Sequence, residues 1–199
     1  MRIVLATHNA GKLRELQALL APLGMTVLPK ADFTRDEVAE TGASFVANAL
    51  IKARHAAQMS GLPALADDSG IEVDALHGAP GIYSARYAGA DASDVDNLNK
   101  LLDDLQNVPL AQRTARYRCA LVLVRRADDL QPIVCEATWE GRIGFEPIGD
   151  GGFGYDPIFE LPERGCTAAQ ISAAEKNQFS HRGQALRMLL AKLREAGGL

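Results

Sequence analysis

The chain predicts an α/β fold, a mixed central β-sheet flanked by helices. Two observations carry that reading. Short apolar or β-branched runs alternate along the sequence with longer stretches that repeat apolar residues at helical spacing. The alternating run Arg116 to Val124 is then followed, across Arg125 to Gln131, by a second strand signal at Ile133 to Trp139, which reads as an antiparallel hairpin added to the sheet. In chain order, strands are expected at Ile3 to Ala6, Thr26 to Leu28, Ala64 to Ala66, Ile71 to Val73, Ala115 to Val124, Ile133 to Trp139 and Pro157 to Leu161. Helices are expected at Leu13 to Leu20, Ala43 to Met59, Asp94 to Leu105 and His181 to Glu195. Gly24 and Gly61 serve as stops, and Ser93 with Asp96 resembles a capping box. A pocket between two parts of the sheet would suit the motifs described next.

The 199 residues are 47% hydrophobic and 23% charged, which suits an ordinary soluble globular chain and a single domain, residues 1–199. Acidic residues outnumber basic ones by 25 to 21, a formal net charge of −4. That balance argues against the broad basic surface that duplex nucleic acid requires, so no nucleic-acid partner is expected, whereas a small polyanion in a locally basic pocket stays open. Cys119, Cys135 and Cys166 are odd in number and lack C-x-x-C spacing, which favours reduced core thiols over a disulfide framework or a zinc site. Met1-Arg2 leads straight into a strand, with no signal-peptide pattern and no apolar run of about 18 residues. The expected location is cytoplasmic, with no membrane partner.

Thr7-His8-Asn9-Ala10-Gly11-Lys12 follows the apolar run Ile3 to Ala6. A polar, glycine-bearing turn at the carboxyl end of a strand offers backbone N–H groups, an amide and an ammonium, and the amino end of the next helix adds partial positive charge. The expected ligand is anionic. Walker A is excluded, because Ala6 and Leu13 stand where that motif needs glycine and Ser or Thr. Gly149 to Gly154 satisfies G-x-G-x-x-G, but the chain continues as an extended run through Phe159, so it is a false dinucleotide match.

Ala66-Asp67-Asp68-Ser69-Gly70 reads as the end of an apolar strand running into a glycine turn. Successive strand residues face opposite sides, so one carboxylate is the working one and the turn aims it outward; plain turn formation is the alternative. Glu40, before Thr41-Gly42, is either a ligand or an acid at a helix amino end. Gly149 to Asp156 combines four glycines with Phe153 and Tyr155, a loop suited to stacking a nucleobase or, alternatively, a tight connection with core aromatics. Lys176 and Ser180-His181-Arg182-Gly183 complete the set. Cations at a helix amino end oppose its dipole, so His181 and Arg182 ask for an anion or a carbonyl-bearing ligand.

The T-x-N-x-G-K segment, Glu40-Thr41-Gly42, Asp67 to Gly70, Gly78 to Tyr87, Gly151 to Asp156 and Ser180 to Gly183 occur in this order across essentially the whole chain. Together they resemble the bacterial non-canonical purine triphosphate pyrophosphatases, the dITP/XTP or inosine triphosphate pyrophosphatase family. The resemblance implies hydrolysis of a purine nucleoside triphosphate between the α and β phosphorus atoms to monophosphate and pyrophosphate, with Mg²⁺, by a homodimer. The fold expected with it has two lobes and the nucleotide site in the cleft between them. On the family pattern, Thr7, His8, Asn9, Ala10, Gly11 and Lys12 bind the triphosphate, His8 standing at a slot the family fills variably. Asp68 is metal ligand and proton acceptor, Glu40 assists with the metal, and Ser69 contacts substrate. Phe153, Gly154, Tyr155, Asp156, Lys176, His181 and Arg182 hold the rest of the nucleotide, with Phe153 stacking on the base.

The chemistry is consistent with that pattern. Phosphoryl transfer needs charge neutralisation and in-line positioning, which a metal, Lys12, Lys176 and oriented N–H groups supply, with water as nucleophile. A donor such as Arg182 aimed at a 6-keto group separates hypoxanthine and xanthine from adenine; guanine shares the keto group, and no residue is assigned to its rejection. Two other readings stand at this stage, a non-catalytic nucleotide sensor and a pyrophosphatase for modified pyrimidine or deoxynucleotides.

Overall fold

A computed structural model describes residues 2–7, 9–21 and 24–195. His8, expected in the triphosphate-binding turn, lies outside the described residues. The elements run β1 (Arg2–Leu5), α1 (Ala10–Leu20), β2 (Thr26–Pro29), α2 (Phe45–Ser60), β3 (Ala64–Val73), α3 (Asp94–Asp104), β4 (Thr114–Val124), β5 (Ile133–Ile143), β6 (Phe159–Leu161), β7 (Cys166–Thr167), α4 (Ala173–Phe179) and α5 (His181–Glu195). The strands form one seven-stranded sheet in the order β2-β1-β3-β4-β5-β6-β7. Pairing of β1 with β2 and with β3 is parallel, and pairing of β6 with β5 and with β7 is antiparallel, so the sheet is mixed as expected.

The chain packs as two compact units: Met1–Asp68, Cys119–Ala137 and Arg182–Leu199 make the first, and Ser69–Arg118 and Thr138–His181 the second. In the first unit, β1 is buried along Ile3, Val4 and Leu5, as a parallel strand covered on both faces must be. Leu16 and Leu20 of α1, Leu65 of β3, Leu121 and Leu123 of β4, and Leu186 and Leu189 of α5 close that core. In the second unit, Ile71, Leu98, Leu101, Tyr117, Ile143 and Phe159 form a separate core. Among the described residues no helix is long and apolar enough to cross a membrane.

Two expectations are corrected, and two short elements are added. The acidic pair does not lie in a turn after a strand, because Ala64–Val73 is one continuous strand that passes through Asp67, Asp68, Ser69 and Gly70. The extended backbone persists because Ala64 to Ala66, Gly70, Ile71 and Val73 are buried, so tertiary packing overrides the turn preference of the polar residues between them. Pro157 does not open a strand: Asp156–Ile158 forms a single turn of 3₁₀ helix, with the proline at a position where its missing N–H costs nothing, and β6 begins at Phe159. The helix Ala173–Phe179, opened by a Ser172/Glu175 capping box, and the short strand Cys166–Thr167 were not anticipated, being too short to display a period. The predicted Ser93/Asp96 box is present, and Gly61 closes α2 in the left-handed region.

Candidate active site

One group of side chains in the first unit is organised by β3. Because the strand is continuous, Asp67 and Asp68 project from opposite faces. Asp67 is fully enclosed: Lys12 Nζ stands 2.8 Å from its Oδ1, while Arg182 Nε donates to Oδ2 at 3.0 Å and the Cys119 thiol approaches the same oxygen at 3.1 Å. Arg182 also gives its Nη1 to Glu15. Burial pushes the Asp67 pKa up, but Arg182 and Lys12 outweigh it and hold the carboxyl well below the usual range. Arg182 is raised in turn, its burial being overcome by Asp67 and Glu15.

Lys12 reaches that position from the first turn of α1. Asn9 is the helix cap, its Oδ1 accepting from the Lys12 N–H at 2.9 Å, while its own N–H donates to Thr7 Oγ1 at 3.2 Å. Thr7, Asn9, Ala10, Gly11 and Lys12 therefore form one tight turn at a helix amino end, the arrangement that suits an anion.

Asp68 meets a different cation. Its Oδ1 lies 2.6 Å from Lys52 Nζ, which also stands 3.0 Å from Glu40 Oε1. Burial raises the Asp68 pKa above the ordinary carboxylate value, with Lys52 and Lys12 opposing it. Glu40 is brought to Lys52 by the segment that follows it: the Gly42 N–H donates to Asn48 Oδ1 at 2.8 Å, and Asn48 and Lys52 sit one turn apart on α2. Lys52 was not singled out from the sequence. Its signal was a lysine one turn from Asn48 in an alanine-rich helix that also carries Arg54.

Asp68 Oδ2 is buried and has no hydrogen-bond partner among the described residues. A buried polar atom left unpaired costs about 1 to 3 kcal/mol, more when charged, so a cation is the partner this oxygen fits. No three His, Cys, Asp or Glu side chains gather as a metal-binding group among the described residues. Mg²⁺ does not require that, since it binds through one or two carboxylates together with substrate phosphates and water. Asp68 and Glu40, drawn to one ammonium, meet the requirement.

A second group lies in the second unit, with Asp156 at its centre. Asp156 is 1% exposed; Lys176 Nζ lies 2.5 Å from its Oδ2, the Phe153 N–H donates to that oxygen at 2.9 Å, and the Tyr117 hydroxyl bonds Oδ1 at 3.1 Å. Lys176 also lies 4.7 Å from the centroid of the Phe153 ring. His181 is buried in an aromatic stack, 4.7 Å and nearly parallel to Tyr117 and 6.4 Å from Trp139. The Tyr155 hydroxyl donates to the Ser84 carbonyl at 2.7 Å, and the Gly154 N–H donates to Asp94 Oδ2 at 2.8 Å. Gly152 cannot carry a side chain: its φ is +72°, and a Cβ would fall 2.0 Å from Asp156 Oδ2. Tyr117, Trp139 and Asp94 escaped the sequence reading because nothing in a strand pattern or a helix cap separates them from ordinary core and capping residues.

The structure thus joins Lys12, Asp67 and Arg182, joins Glu40 and Asp68 through Lys52, and joins Phe153, Asp156 and Lys176. Ser69 continues β3, half-buried, immediately after the first group. The anion that Arg182 was expected to need is supplied by Asp67 and Glu15, so the expectation of a base carbonyl is not required by the helix dipole.

An α/β sheet that presents one carboxylate held ionised by lysine and arginine, beside a second with a raised pKa, has the equipment of an anhydride hydrolase. The chain belongs to the Ham1 family, which it matches over residues 3–192. It is 62% identical to a dITP/XTP pyrophosphatase of Thioalkalivibrio sulfidiphilus, covering 97% of this chain and 98% of that one, and 58% identical to a dITP/XTP pyrophosphatase of Vibrio cholerae over 98% and 97%. Among solved structures, a HAM1 protein from Coxiella burnetii superposes with a TM-score of 0.89 at 47% identity, over 98% of this chain and 99% of the other. A nucleoside-triphosphatase / dITP/XTP pyrophosphatase from Mycobacterium abscessus gives 0.76 at 43%, over 96% and 99%.

Proposed function

We propose that the protein hydrolyses non-canonical purine nucleoside triphosphates, dITP and ITP, XTP and dXTP, to the monophosphate and pyrophosphate, removing them from the cytoplasmic nucleotide pool before they enter DNA or RNA. The near full-length likeness to dITP/XTP pyrophosphatases supports the substrate class. The observation that carries the chemistry is the Asp68 carboxylate, buried, raised in pKa and with one oxygen unpaired among the described residues.

In this reading the turn Thr7 to Lys12, with Ser69, binds the triphosphate, Lys12 being held at the required place by Asp67. Asp68 and Glu40 hold Mg²⁺, which when bound supplies positive charge to the phosphate oxygens and acidifies water. Water attacks the α phosphorus, Asp68 accepts its proton, and the bond from that phosphorus to the β-bridging oxygen breaks, releasing pyrophosphate. The raised pKa suits Asp68 to the proton, whereas Asp67 stays ionised and serves as a counter-charge. Phe153 stacks on the base, with Gly154, Tyr155, Asp156, Lys176 and His181 forming its surroundings. The enzyme works as a homodimer, which sedimentation analysis tests directly.

The deciding measurement is pyrophosphate release from a panel of ITP, dITP, XTP, ATP, GTP and modified pyrimidine triphosphates at one concentration, with Mg²⁺ and with chelator. Metal-dependent release favouring the inosine and xanthosine nucleotides is expected. Tight nucleotide binding without release would support a sensor instead, and preference for pyrimidines would change the substrate class.

A further inference from the structure

We infer that Asp94 is a positioning residue for base recognition: it fixes the glycine loop that carries Phe153. The inference rests on the proposed role of Phe153 as the stacking surface. Asp94 is the first residue of α3, and an acid there ordinarily faces the helix dipole and solvent. Ser93 and Asp96 already make the capping box of this helix, with Asp96 Oδ2 accepting from the Ser93 N–H at 2.8 Å and the Asp96 N–H donating to Ser93 Oγ at 3.2 Å. Asp94 is therefore not needed as the cap. Its Oδ2 instead accepts the Gly154 N–H at 2.8 Å, across sixty positions of sequence and next to the Phe153 ring.

The loop has few other means of fixing itself, since glycines at 149, 151, 152 and 154 carry no side chains to pack. Its ties include individual hydrogen bonds: Gly151 N–H to the Ala169 carbonyl at 3.0 Å, Phe153 N–H to Asp156 Oδ2 at 2.9 Å, Asp156 N–H to the Phe153 carbonyl at 3.3 Å, and the Tyr155 hydroxyl to the Ser84 carbonyl at 2.7 Å. Asp94 holds the N–H of the peptide on the carboxyl side of Phe153, whose carbonyl accepts the longer bond from the Asp156 N–H, and the Asp156 carboxylate holds the N–H on the amino side. Two carboxylates on either side of the ring restrict both peptide planes, and hence the plane in which a base must lie to stack. Charge-assisted acceptance of a backbone N–H is among the stronger protein hydrogen bonds, and Asp94 is exposed enough to be replaced without opening the core.

The test compares Asp94→Ala and Asp94→Asn with the unmodified protein in three readouts. Amide hydrogen exchange at Gly154 should accelerate in Asp94→Ala and return towards normal in Asp94→Asn, whose side-chain oxygen still accepts. Equilibrium binding of inosine monophosphate should weaken about ten-fold in Asp94→Ala and recover in Asp94→Asn, while binding of inorganic tripolyphosphate, which has no base, should not change. In turnover, KM for ITP should rise with kcat retained. Unaltered Gly154 exchange overturns the anchor, and an equal loss of inosine monophosphate and tripolyphosphate binding overturns its connection to the base. A protein that releases no pyrophosphate from any triphosphate defeats the proposed activity instead, and the exchange and inosine monophosphate measurements still decide the role of Asp94.

Discussion

Asp67 and Asp68 are consecutive residues of β3 that turn their carboxylates to different cations: Asp67 to Lys12 at 2.8 Å and Arg182 at 3.0 Å, Asp68 to Lys52 at 2.6 Å. The alternation of a strand produces this division, and the division sets the two pKa values in opposite directions. Two chemically identical side chains thereby acquire different environments, the basis of the separate roles proposed for them, one as a fixed counter-charge and one as proton acceptor.

Replacing Asp68 by Asn keeps size and removes the charge proposed to bind metal and accept the proton. Turnover should fall by at least about 10³-fold, near the upper end of what one such group contributes. Because an amide fills the same space beside Lys52, the variant should stay folded, with a Tm close to the parent. A folded Asp68→Asn variant with near-normal turnover at saturating Mg²⁺ would remove Asp68 from the reaction.

Lys52→Ala tests a residue that only the structure brings forward. The ammonium is the bridge between Glu40 and Asp68, at 3.0 and 2.6 Å, and without it the two carboxylates lose the cation they share. Loss of one such electrostatic element typically lowers turnover by about 10² to 10³-fold. Steady-state kinetics on ITP should display that loss while circular dichroism remains unchanged. A loss below five-fold would make Lys52 a spectator.

The sequence reading and the structure agree most closely where periodicity is long. All of α3 and α5 and nearly all of α2 were legible, because apolar residues at helical spacing and caps such as Ser93 and Gly61 are local signals. The continuity of β3 through Asp67-Asp68-Ser69-Gly70 was not legible, since it depends on burial by elements distant in sequence. Motif residues such as Lys12, Asp68 and Lys176 were identifiable singly. Which residues pair with which was not legible, because Lys52 and Glu40 meet across twelve positions, Tyr117 and Asp156 across 39, and Asp67 and Arg182 across 115.

Gly42→Ala should disturb Glu40 without touching it. The new methyl would lie 2.6 Å from Asn48 Oδ1, 2.7 Å from Ala47 Cβ and 2.9 Å from the Asn48 nitrogen, all attached to the amino end of a rigid helix. The loop must therefore move, carrying Glu40 away from Lys52 and breaking the Gly42 to Asn48 hydrogen bond. A destabilisation of about 1 to 3 kcal/mol follows from overpacking of this kind, measurable by urea unfolding. The apparent Mg²⁺ requirement for turnover should rise as well; an unaltered requirement would separate Glu40 from the metal.

Asp129 provides a stability effect with a defined pH window. Its carboxylate accepts from the Arg125 N–H at 2.9 Å, Arg125 Nε at 3.0 Å and the Gln131 N–H at 2.9 Å, and bonding to Arg125 is the main cause that lowers its pKa to about 2. A folded-state pKa below the unfolded value of about 3.9 means that the stabilisation is fully present above pH 4 and is lost as pH falls through about 2. Asp129→Ala should therefore cost about 1 to 2 kcal/mol at pH 7, and the gap to the parent should narrow between pH 4 and pH 2. Urea unfolding at several pH values in that range checks it, and a gap that does not change with pH contradicts the assignment.

Arg182 unites the structural and the functional questions at the start of α5. Its guanidinium is 2% exposed and bonded to both Asp67 and Glu15, so Arg182→Ala leaves two carboxylates without that partner, one of them fully buried. Breaking a buried pair from one side costs about 3 to 5 kcal/mol, which for a chain of this length lowers Tm by roughly 6 to 20 °C. Asp67 would then hold Lys12 less firmly, and because Lys12 is proposed to bind the triphosphate common to all substrates, kcat/KM should fall for ITP and ATP alike. The ITP to ATP ratio should remain within about three-fold of the parent. A ratio that instead drops ten-fold or more would mean that Arg182 donates to the 6-keto oxygen, and would return base selection to the residue first expected to perform it.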